Sequence, residues 1–120
     1  MGADHQYPGR FDCEKHQGMN RANEKQMQER FGKGIWWYRT QRRLSQEELA
    51  FRGEIHRTQI SLIESGSRSP MLPTLLALAG GLALPTERLF DGITYEPPGH
   101  GRSGRYVVEP LIIPGLGEIP

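Results

Sequence analysis

Apolar residues recur with a helical period between about residues 31 and 90 and lose that period on either side. Phe31, Ile35 and Tyr38 stand at positions i, i+4 and i+7, which places them on one face of a first helix. Towards both ends, the sequence becomes polar or rich in glycine and proline. We therefore predict an ordered domain over 31–90, between a flexible arm at 1–30 and a tail at 91–120.

The next two predicted helices are short and lie close together. Ser45 precedes the second helix, and Glu48 three residues later completes a capping box. The third helix is predicted at about 57–65, where Ile60 and Ile63 face inward. This pattern predicts two helices joined by a tight turn.

Proline and glycine set the limits of the remaining helices. Gly66 suits the end of the third helix, and Pro73 suits the first turn of a fourth. Pro85 opens a short fifth helix. Five short helices over 31–90 predict an all-α bundle.

The flanking segments are predicted to lie outside this bundle. In the arm, at most residues 23–30 are expected to form a fraying helical turn. The tail has six glycines and five prolines among 30 residues, which excludes a helix. Within it, 106–108 and 111–113 are β-prone runs that could form short edge strands or fold onto a partner.

The charge distribution changes the meaning of a net charge of only +1. The predicted domain carries seven basic and four acidic residues over 31–70, whereas 71–120 carries three against five. A single cysteine excludes an internal disulfide, and no apolar run reaches the roughly 20 residues that span a bilayer. We expect a cytoplasmic, nucleoid-associated protein without membrane contact.

The spacing of the second and third helices is that of a helix-turn-helix. Residues 31–90 resemble the Cro and lambda-repressor type of helix-turn-helix domain, also called the xenobiotic-response-element family. The resemblance implies a five-helix lambda-repressor-like bundle that binds double-stranded DNA. The matching stretches are Phe31-Gly32 with Ile35, Tyr38-Arg39, Arg42 with Leu44-Ser45-Gln46, Glu48-Leu49-Ala50, His56-Arg57-Thr58, Ile60-Ser61, Ile63-Glu64 with Gly66, Pro70 with Leu72, Thr74-Leu75-Leu76, Leu78-Ala79, Leu82 and Leu89-Phe90.

The resemblance implies a transcriptional regulator that reads the major groove with helix 56–65. Arg57 could donate two hydrogen bonds to guanine, Gln59 could pair with adenine, and Leu62 could contact a thymine methyl group. The outward side of this helix is mostly small and polar, so it can sit deep in a groove. Its candidate DNA-binding residues are His56, Arg57, Thr58, Gln59, Ser61 and Leu62.

Other candidates lie around this helix. The resemblance implies that the Gln46 amide packs against a phosphate and the reading helix. Arg42, Arg43, Arg52 and Arg68 are candidates for phosphate contact. His56 is interpreted as a helix cap or a further phosphate contact. Arg39 and Glu64 are assigned to structure, because the resemblance implies an ion pair between the first and third helices.

Two residues depart from the family pattern. Glu54 stands where the turn usually carries glycine, with Gly53 one place earlier, and Ala83 also replaces a common glycine. A non-glycine residue with positive φ costs on the order of 1 kcal/mol. We therefore expect either a turn shifted by one residue or some accepted strain.

Two alternatives to a plain regulator stay open. The first is an antitoxin of a toxin–antitoxin pair, whose tail at 91–120 binds a partner protein. The second is an adaptor without DNA binding that uses Trp36 and Trp37 as an interaction patch. The competing interpretation of these tryptophans, which we prefer, is that one of them packs under the arm or the tail. For the regulator itself, a homodimer on two half-sites is expected.

No catalytic or cofactor site is predicted. His5, Cys13 and His16 offer three of the four ligands that a zinc site normally needs, so no metal site is assigned. Neither a nucleophile elbow nor a phosphate-cradling glycine loop is present. We therefore expect that the protein is not an enzyme.

Overall fold

The structure, a computed structural model, describes the backbone of residues 13–113 and 117–119, and side chains over 22–111. Four α-helices are followed by one turn of 3₁₀ helix and two small antiparallel strand pairs. The elements are α1 (Cys13–Gln41), α2 (Gln46–Gly53), α3 (Arg57–Glu64), α4 (Leu72–Gly81), the 3₁₀ helix (Thr86–Phe90), β1 (Ile93–Glu96), β2 (Arg105–Val108), β3 (Leu111–Ile113) and β4 (Gly117–Ile119).

The apolar core lies where α1 to α4 meet. The predicted inward residues Phe31, Ile35, Ile60 and Ile63 are all buried, which confirms the period assigned to the first and third helices. Tyr38 is only half-buried, and its hydroxyl donates to the Arg88 carbonyl at 3.3 Å. The core is completed by Leu44, Leu49, Ala50, Leu78, Ala79, Leu82 and Leu89.

The prediction of an all-α, five-helix bundle is corrected in two respects. The segment after Pro85 forms a 3₁₀ helix over Thr86–Phe90, because the six residues between Pro85 and Gly92 leave room for little more than one turn. Beyond it, the tail forms four short strands in two antiparallel pairs, β1 with β2 and β3 with β4. The fold is therefore a mostly helical helix-turn-helix with two small two-stranded sheets.

The first helix is much longer than predicted. It begins at Cys13 rather than near Phe31, so residues 13–30 form a continuous helix where we predicted a flexible arm. This half has few aliphatic residues, which hides the helical period, but it contains strong helix formers such as lysine, glutamate, glutamine and methionine. Residues 1–12 of the predicted arm lie outside the described residues.

A hairpin of β1 and β2 packs against this added half of α1. The strands pair from Ile93 with Val108 to Glu96 with Arg105. The Asn23 amide bonds to both the N–H and the carbonyl of Tyr106 on the outer edge of β2. Predicted strand runs at 106–108 and 111–113 are confirmed, whereas β1 and β4 were not predicted.

Arg30 fixes the base of the same hairpin. Its Nε donates to the Glu109 carbonyl at 2.7 Å, and a second guanidinium nitrogen donates to the Asp91 carbonyl at 3.0 Å. Partial burial lowers the Arg30 pKa, although nearby anionic groups oppose this effect. Side chains of α1 thus satisfy backbone groups at both ends of β2.

All four helices end in the same backbone motif. After each helix, one residue takes a positive φ: Arg43 (56°), Glu54 (53°), Gly66 (79°) and Ala83 (56°). Paired hydrogen bonds close each end, as in Ser67 N to Leu62 O at 2.9 Å and Gly66 N to Ile63 O at 3.1 Å. Three of these four Schellman ends lack glycine, so the chain accepts strain.

The two glycine departures are thereby explained. Glu54 itself takes the left-handed conformation, so the turn is not shifted onto Gly53. A Cβ on Gly53 would lie 3.1 Å from the Ala77 carbonyl oxygen and 2.9 Å from the Ile55 Cδ1. Gly53 therefore serves the close approach of α2 to α4 rather than the turn.

Candidate nucleic-acid interface

The start of α2 is held by the predicted capping box. Ser45 Oγ accepts from the Glu48 N–H at 3.0 Å, and the Glu48 carboxylate accepts from the Ser45 N–H at 2.8 Å. These bonds lower the Glu48 pKa, the Ser45 backbone contributing most. The capping box fixes where the chain enters α2 and thus where Gln46 lies.

Gln46, Arg39 and Glu64 form one hydrogen-bonded network beneath the helix-turn-helix. Arg39 Nε and Nη2 donate to the two Glu64 oxygens at 2.6 and 2.9 Å. Gln46 Nε2 donates to Glu64 Oε1 at 3.0 Å, and Arg39 Nη1 donates to the Leu44 carbonyl at 2.8 Å. The network ties the end of α1 and the start of α2 to the end of α3.

The charges in this network are well compensated. The side chains of Arg39 and Glu64 are only 12% and 8% exposed. The hydrogen bond to Glu64 raises the Arg39 pKa despite partial burial. The Gln46 amide has two N–H donors. One of them donates to Glu64, so the other remains available to a ligand.

The outward face of α3 is open to solvent. Arg57, Thr58 and Ser61 are exposed, whereas Gln59 and Leu62 are half-buried at its sides. Among residues whose side chains are described, none of these five makes a side-chain hydrogen bond. The bonding capacity of the face is therefore free for an external partner.

His56 occupies the N-cap position of α3, but its side chain makes no capping hydrogen bond. The prediction that the His56 side chain caps α3 is therefore wrong, because no imidazole nitrogen bonds to the backbone of the helix. The imidazole is exposed at the start of the helix. Phosphate contact by His56 stays a prediction.

Four exposed arginines of the helix-turn-helix region lack partners among the described residues, in contrast to Arg39. Arg43, Arg52, Arg57 and Arg68 are exposed, and their side chains make no ion pair or hydrogen bond within the described part of the chain. Arg42 is half-buried and makes only a 3.5 Å contact to the Tyr38 carbonyl. Positive charge is thus available to an anion along this half of the molecule.

Arginines near the hairpin are instead neutralised. Arg102 and Arg105 both reach Glu96 at 3.0 Å, and Arg88 lies 3.7 Å from Asp91. The hydrogen bonds from Arg105, and secondarily from Arg102, lower the Glu96 pKa. The sequence shows the excess of basic residues at 31–70. It does not show that Arg88, Arg102 and Arg105, which lie outside this range, are paired with carboxylates, which increases the contrast in available positive charge.

The two tryptophans have different environments. Trp36 is 40% exposed, whereas Trp37 is half-buried and lines a crevice shared with Pro110 and Leu111. The tail therefore shields Trp37, as the interpretation of intramolecular cover expects. Trp36 remains accessible.

Sequence reasoning missed a contact between the added half of α1 and the end of α3. Lys25 Nζ donates to the Gly66 carbonyl at 3.3 Å, and Glu29 packs so closely that a Cβ on Gly66 would lie 2.6 Å from its Cγ. Gly66 lies just after the end of α3, so the α1 extension supports the position of that helix. Nothing in the local sequence signals this contact, because both residues resemble ordinary surface charges.

The described part of the chain has neither a metal-ligand cluster nor a membrane-spanning helix. Over the described residues, no three histidine, cysteine or acidic side chains come together as metal ligands. His5 and the side chains of Cys13 and His16 lie outside the described set. In the same part of the chain, no helix is both long and apolar enough to cross a membrane.

The fold and its exposed helix correspond to a known class of DNA-binding protein. The family model described as helix-turn-helix matches residues 37–89. The chain belongs to this family of Cro/C1-type helix-turn-helix proteins, which are DNA-binding transcription regulators. The added half of α1 and the β1–β2 hairpin lie outside the matched residues.

Solved structures of controller proteins are similar to about half of the chain. The restriction-modification controller protein C.AhdI from Aeromonas hydrophila is 35% identical, with a TM-score of 0.52, over 52% of this chain and 96% of that one. The controller protein C.Esp1396I, solved as a tetramer with its natural 35 base-pair operator, is 28% identical, with a TM-score of 0.51, over 54% and 86%.

A further structure supports the fold alone. An HTH_3 family transcriptional regulator from Vibrio cholerae is 24% identical, with a TM-score of 0.54, over 57% of this chain and 38% of that one. A comparison with curated proteins finds no match. The protein is a DNA-binding transcriptional regulator by family.

Proposed function

We propose that this protein is a sequence-specific transcriptional regulator that inserts α3 into the major groove of DNA. The observation that carries the proposal is the exposed, unbonded face of α3, held from behind by the Arg39–Glu64–Gln46 network. A helix with small polar side chains can approach base edges closely. The rigid network lets it do so in one orientation.

Individual residues receive distinct roles. Arg57 at the first turn of α3 reads guanine, and Gln59 reads adenine through its amide. Leu62 contacts a thymine methyl group from the side of the helix. Thr58 and Ser61 are short enough to position the helix without blocking its entry into the groove.

Phosphate contacts anchor the helix from both sides. The remaining N–H of Gln46 points to a role as phosphate donor at the start of α2, where free backbone N–H groups also favour an anion. Arg42, Arg43 and Arg68 supply sequence-independent attraction. His56 adds a donor where α3 begins.

The regulator is proposed to act as a homodimer on two half-sites. Dimeric helix-turn-helix proteins place their reading helices about 34 Å apart, one turn of DNA. The operator-bound tetramer of C.Esp1396I supports assembly of this kind. Because C.AhdI is also a restriction-modification controller, genes of such a system are the first place to seek the operator.

Single alanine substitutions test these roles on matched duplexes. Arg57→Ala and Gln59→Ala should each lose about 1–3 kcal/mol of discrimination between the preferred site and its single-base variants. Arg43→Ala should weaken all duplexes alike and flatten the salt dependence by about one unit. Arg102→Ala removes the same charge from the paired hairpin and serves as the control.

The proposal fails if the wild-type protein binds all duplexes equally. It also fails if Arg102→Ala and Arg43→Ala weaken binding to the same extent, because charge position would then be irrelevant. Fluorescence anisotropy at several salt concentrations measures both quantities.

A further inference from the structure

A small apolar cavity lies where the helix-turn-helix meets the added half of α1. It has a volume of about 170 Å³ and opens between α1, the loop after α3, the 3₁₀ helix and the start of β1. None of its described lining residues belongs to α3, so the reading of DNA does not explain it. Its walls are mostly carbon and come from Met27, Phe31, Leu75, Phe90 and Ile93.

The two phenylalanines leave part of this space unfilled. Phe31 is buried, but Phe90 is 42% exposed, and their ring centroids lie 6.2 Å apart with the planes tilted by 34°. An apolar wall beside unfilled volume forfeits both dispersion contacts and burial from water. A ligand with an apolar group of matching size would recover both.

Arg68 gives the cavity a positive charge. It is the one charged side chain among the described lining residues, and it makes no ion pair or hydrogen bond within the described part of the chain. Gln28 and Ser69 add an amide and a hydroxyl to the lining. A guanidinium presents two parallel donors that match a carboxylate. The cavity is therefore complementary to a molecule with an apolar body and one negative charge.

The cavity depends on residues that lie outside the matched helix-turn-helix domain. Five of the nine described lining residues fall outside 37–89, on α1, at the end of the 3₁₀ helix and on β1. A ligand in it would contact these residues together with Arg68 and Leu75, which lie inside the matched range. The site is thus a feature of this chain's added elements.

We propose that the cavity binds a small aromatic carboxylate, with its ring against Phe31 and Phe90 and its carboxylate on Arg68. An apolar cavity of about 150 Å³ holds one molecule of benzene, so the space here suits one phenyl ring and little more. Tilted contacts between the ligand ring and the two phenylalanines are favourable. A carboxylate one carbon from the ring lies at the mouth of the cavity, where Arg68 and Ser69 are exposed. Phenylacetate has this chemistry.

The ligand opposes DNA binding, a consequence that rests on the proposed function, in which Arg68 contacts phosphate. One guanidinium cannot neutralise both anions, so the carboxylate and the phosphate compete for it. The competition is reciprocal, because DNA must weaken ligand binding by the same factor. Loss of one phosphate contact affects all duplexes alike. The ligand therefore regulates affinity for DNA rather than sequence preference.

Isothermal titration calorimetry of the full chain without DNA tests the site. Phenylacetate should bind one molecule per chain with a Kd of about 1 mM or less. Phenylacetamide, which lacks the charge, and acetate, which lacks the ring, should each bind about tenfold more weakly or worse. Arg68→Ala should weaken phenylacetate by about tenfold, and Arg68→Lys should retain most of the affinity. Arg102→Ala, which removes the same charge elsewhere, should change nothing.

Amide chemical shifts in the presence of phenylacetate locate the ligand. They should change at Met27, Ser69 and Phe90 and stay unchanged at Gly101 in the hairpin loop. Lack of saturable binding up to about 10 mM, equal binding of phenylacetamide, or shifts confined to other residues would each overturn the site. Far-UV circular dichroism checks that Arg68→Ala is folded, as the exposure of Arg68 leads us to expect.

Fluorescence anisotropy with a DNA duplex tests the competition. Saturating phenylacetate should weaken binding of the wild type by about threefold to tenfold and leave Arg68→Ala unaffected. An unchanged wild-type affinity would overturn the competition. If the wild type bound all duplexes equally, the proposed function would fail, whereas calorimetry without DNA would still decide whether the cavity binds the carboxylate.

Discussion

The helix-turn-helix core and the unit formed by residues 13–30 with the β1–β2 hairpin are stabilised in different ways. The core buries Leu49, Ile60 and Leu78 completely. The α1–hairpin unit has no fully buried large side chain among its described residues and depends on side chains that bond backbone groups, chiefly Asn23 and Arg30. Regions that differ in this way open with different free energies. We therefore expect the hairpin to open at a lower free energy than α3.

The two regions also use charge differently. Exposed arginines without described partners lie on the helix-turn-helix, whereas Arg102 and Arg105 of the hairpin segment are paired with Glu96. The described hydrogen bonds of the hairpin run to α1 rather than across α3. Competition between the tail and DNA for the basic face, which an acidic tail suggests, therefore gains no support from residues 93–108.

The largest difference in stability is expected between variants that remove one of two carboxylates, Glu64 or Glu96. Glu64→Ala should reduce the free energy of unfolding by about 3 kcal/mol, because it leaves Arg39 unpaired in a mostly buried position. Glu96→Ala, which breaks the exposed pairs with Arg102 and Arg105, should cost much less, because solvent screens these pairs. Urea denaturation measures both. Equal losses would contradict the distinction between the two regions.

A smaller, local effect is expected at Asn23. Asn23→Ala removes both bonds to Tyr106 and should destabilise the hairpin by about 2 kcal/mol. Hydrogen exchange should rise at β1 and β2 and stay unchanged in α3. Glu24→Ala, the exposed neighbour, is the matched control. If α3 exchanges faster as well, the two regions unfold as one.

The smallest effect concerns the helix ends. Glu54→Gly and Ala83→Gly should each raise the stability by roughly 0.5–1 kcal/mol, since glycine relieves a positive φ but gains freedom in the unfolded chain. Gly66→Ala should act in the opposite direction, because its φ is 79° and Glu29 crowds the site. Thermal denaturation ranks the three variants. A stabilising Gly66→Ala would refute this explanation.

The sequence predicted the core region better than the α1–hairpin unit for a physical reason. Ile60, Ile63 and the Ser45–Glu48 box carry local signals, namely helical period and capping chemistry, and the structure places them as expected. Asn23 and Tyr106 are 83 residues apart, so their bond leaves no local pattern. Long-range polar contacts of this kind stabilise segments that composition alone assigns to disorder.

The candidate site shows the same division. The outward positions of α3 follow from its period, whereas the free second donor of Gln46 and the unpaired state of the arginines required side-chain geometry. The exposure of Leu72 and Leu76 could not be predicted either. A helix that is apolar on all sides has no polar face in its sequence to mark the side that lies in solvent. The reading of specific bases by Arg57 and Gln59 stays a prediction.

Selection of bound sites from random DNA with the purified full-length protein tests the central claim most directly. The account predicts a preferred motif made of two related half-sites, with centres about ten base pairs apart. It also predicts that Arg57→Ala relaxes the preference at one position in each half-site. A pool that stays random after repeated selection, despite salt-sensitive binding, would contradict sequence-specific recognition by α3.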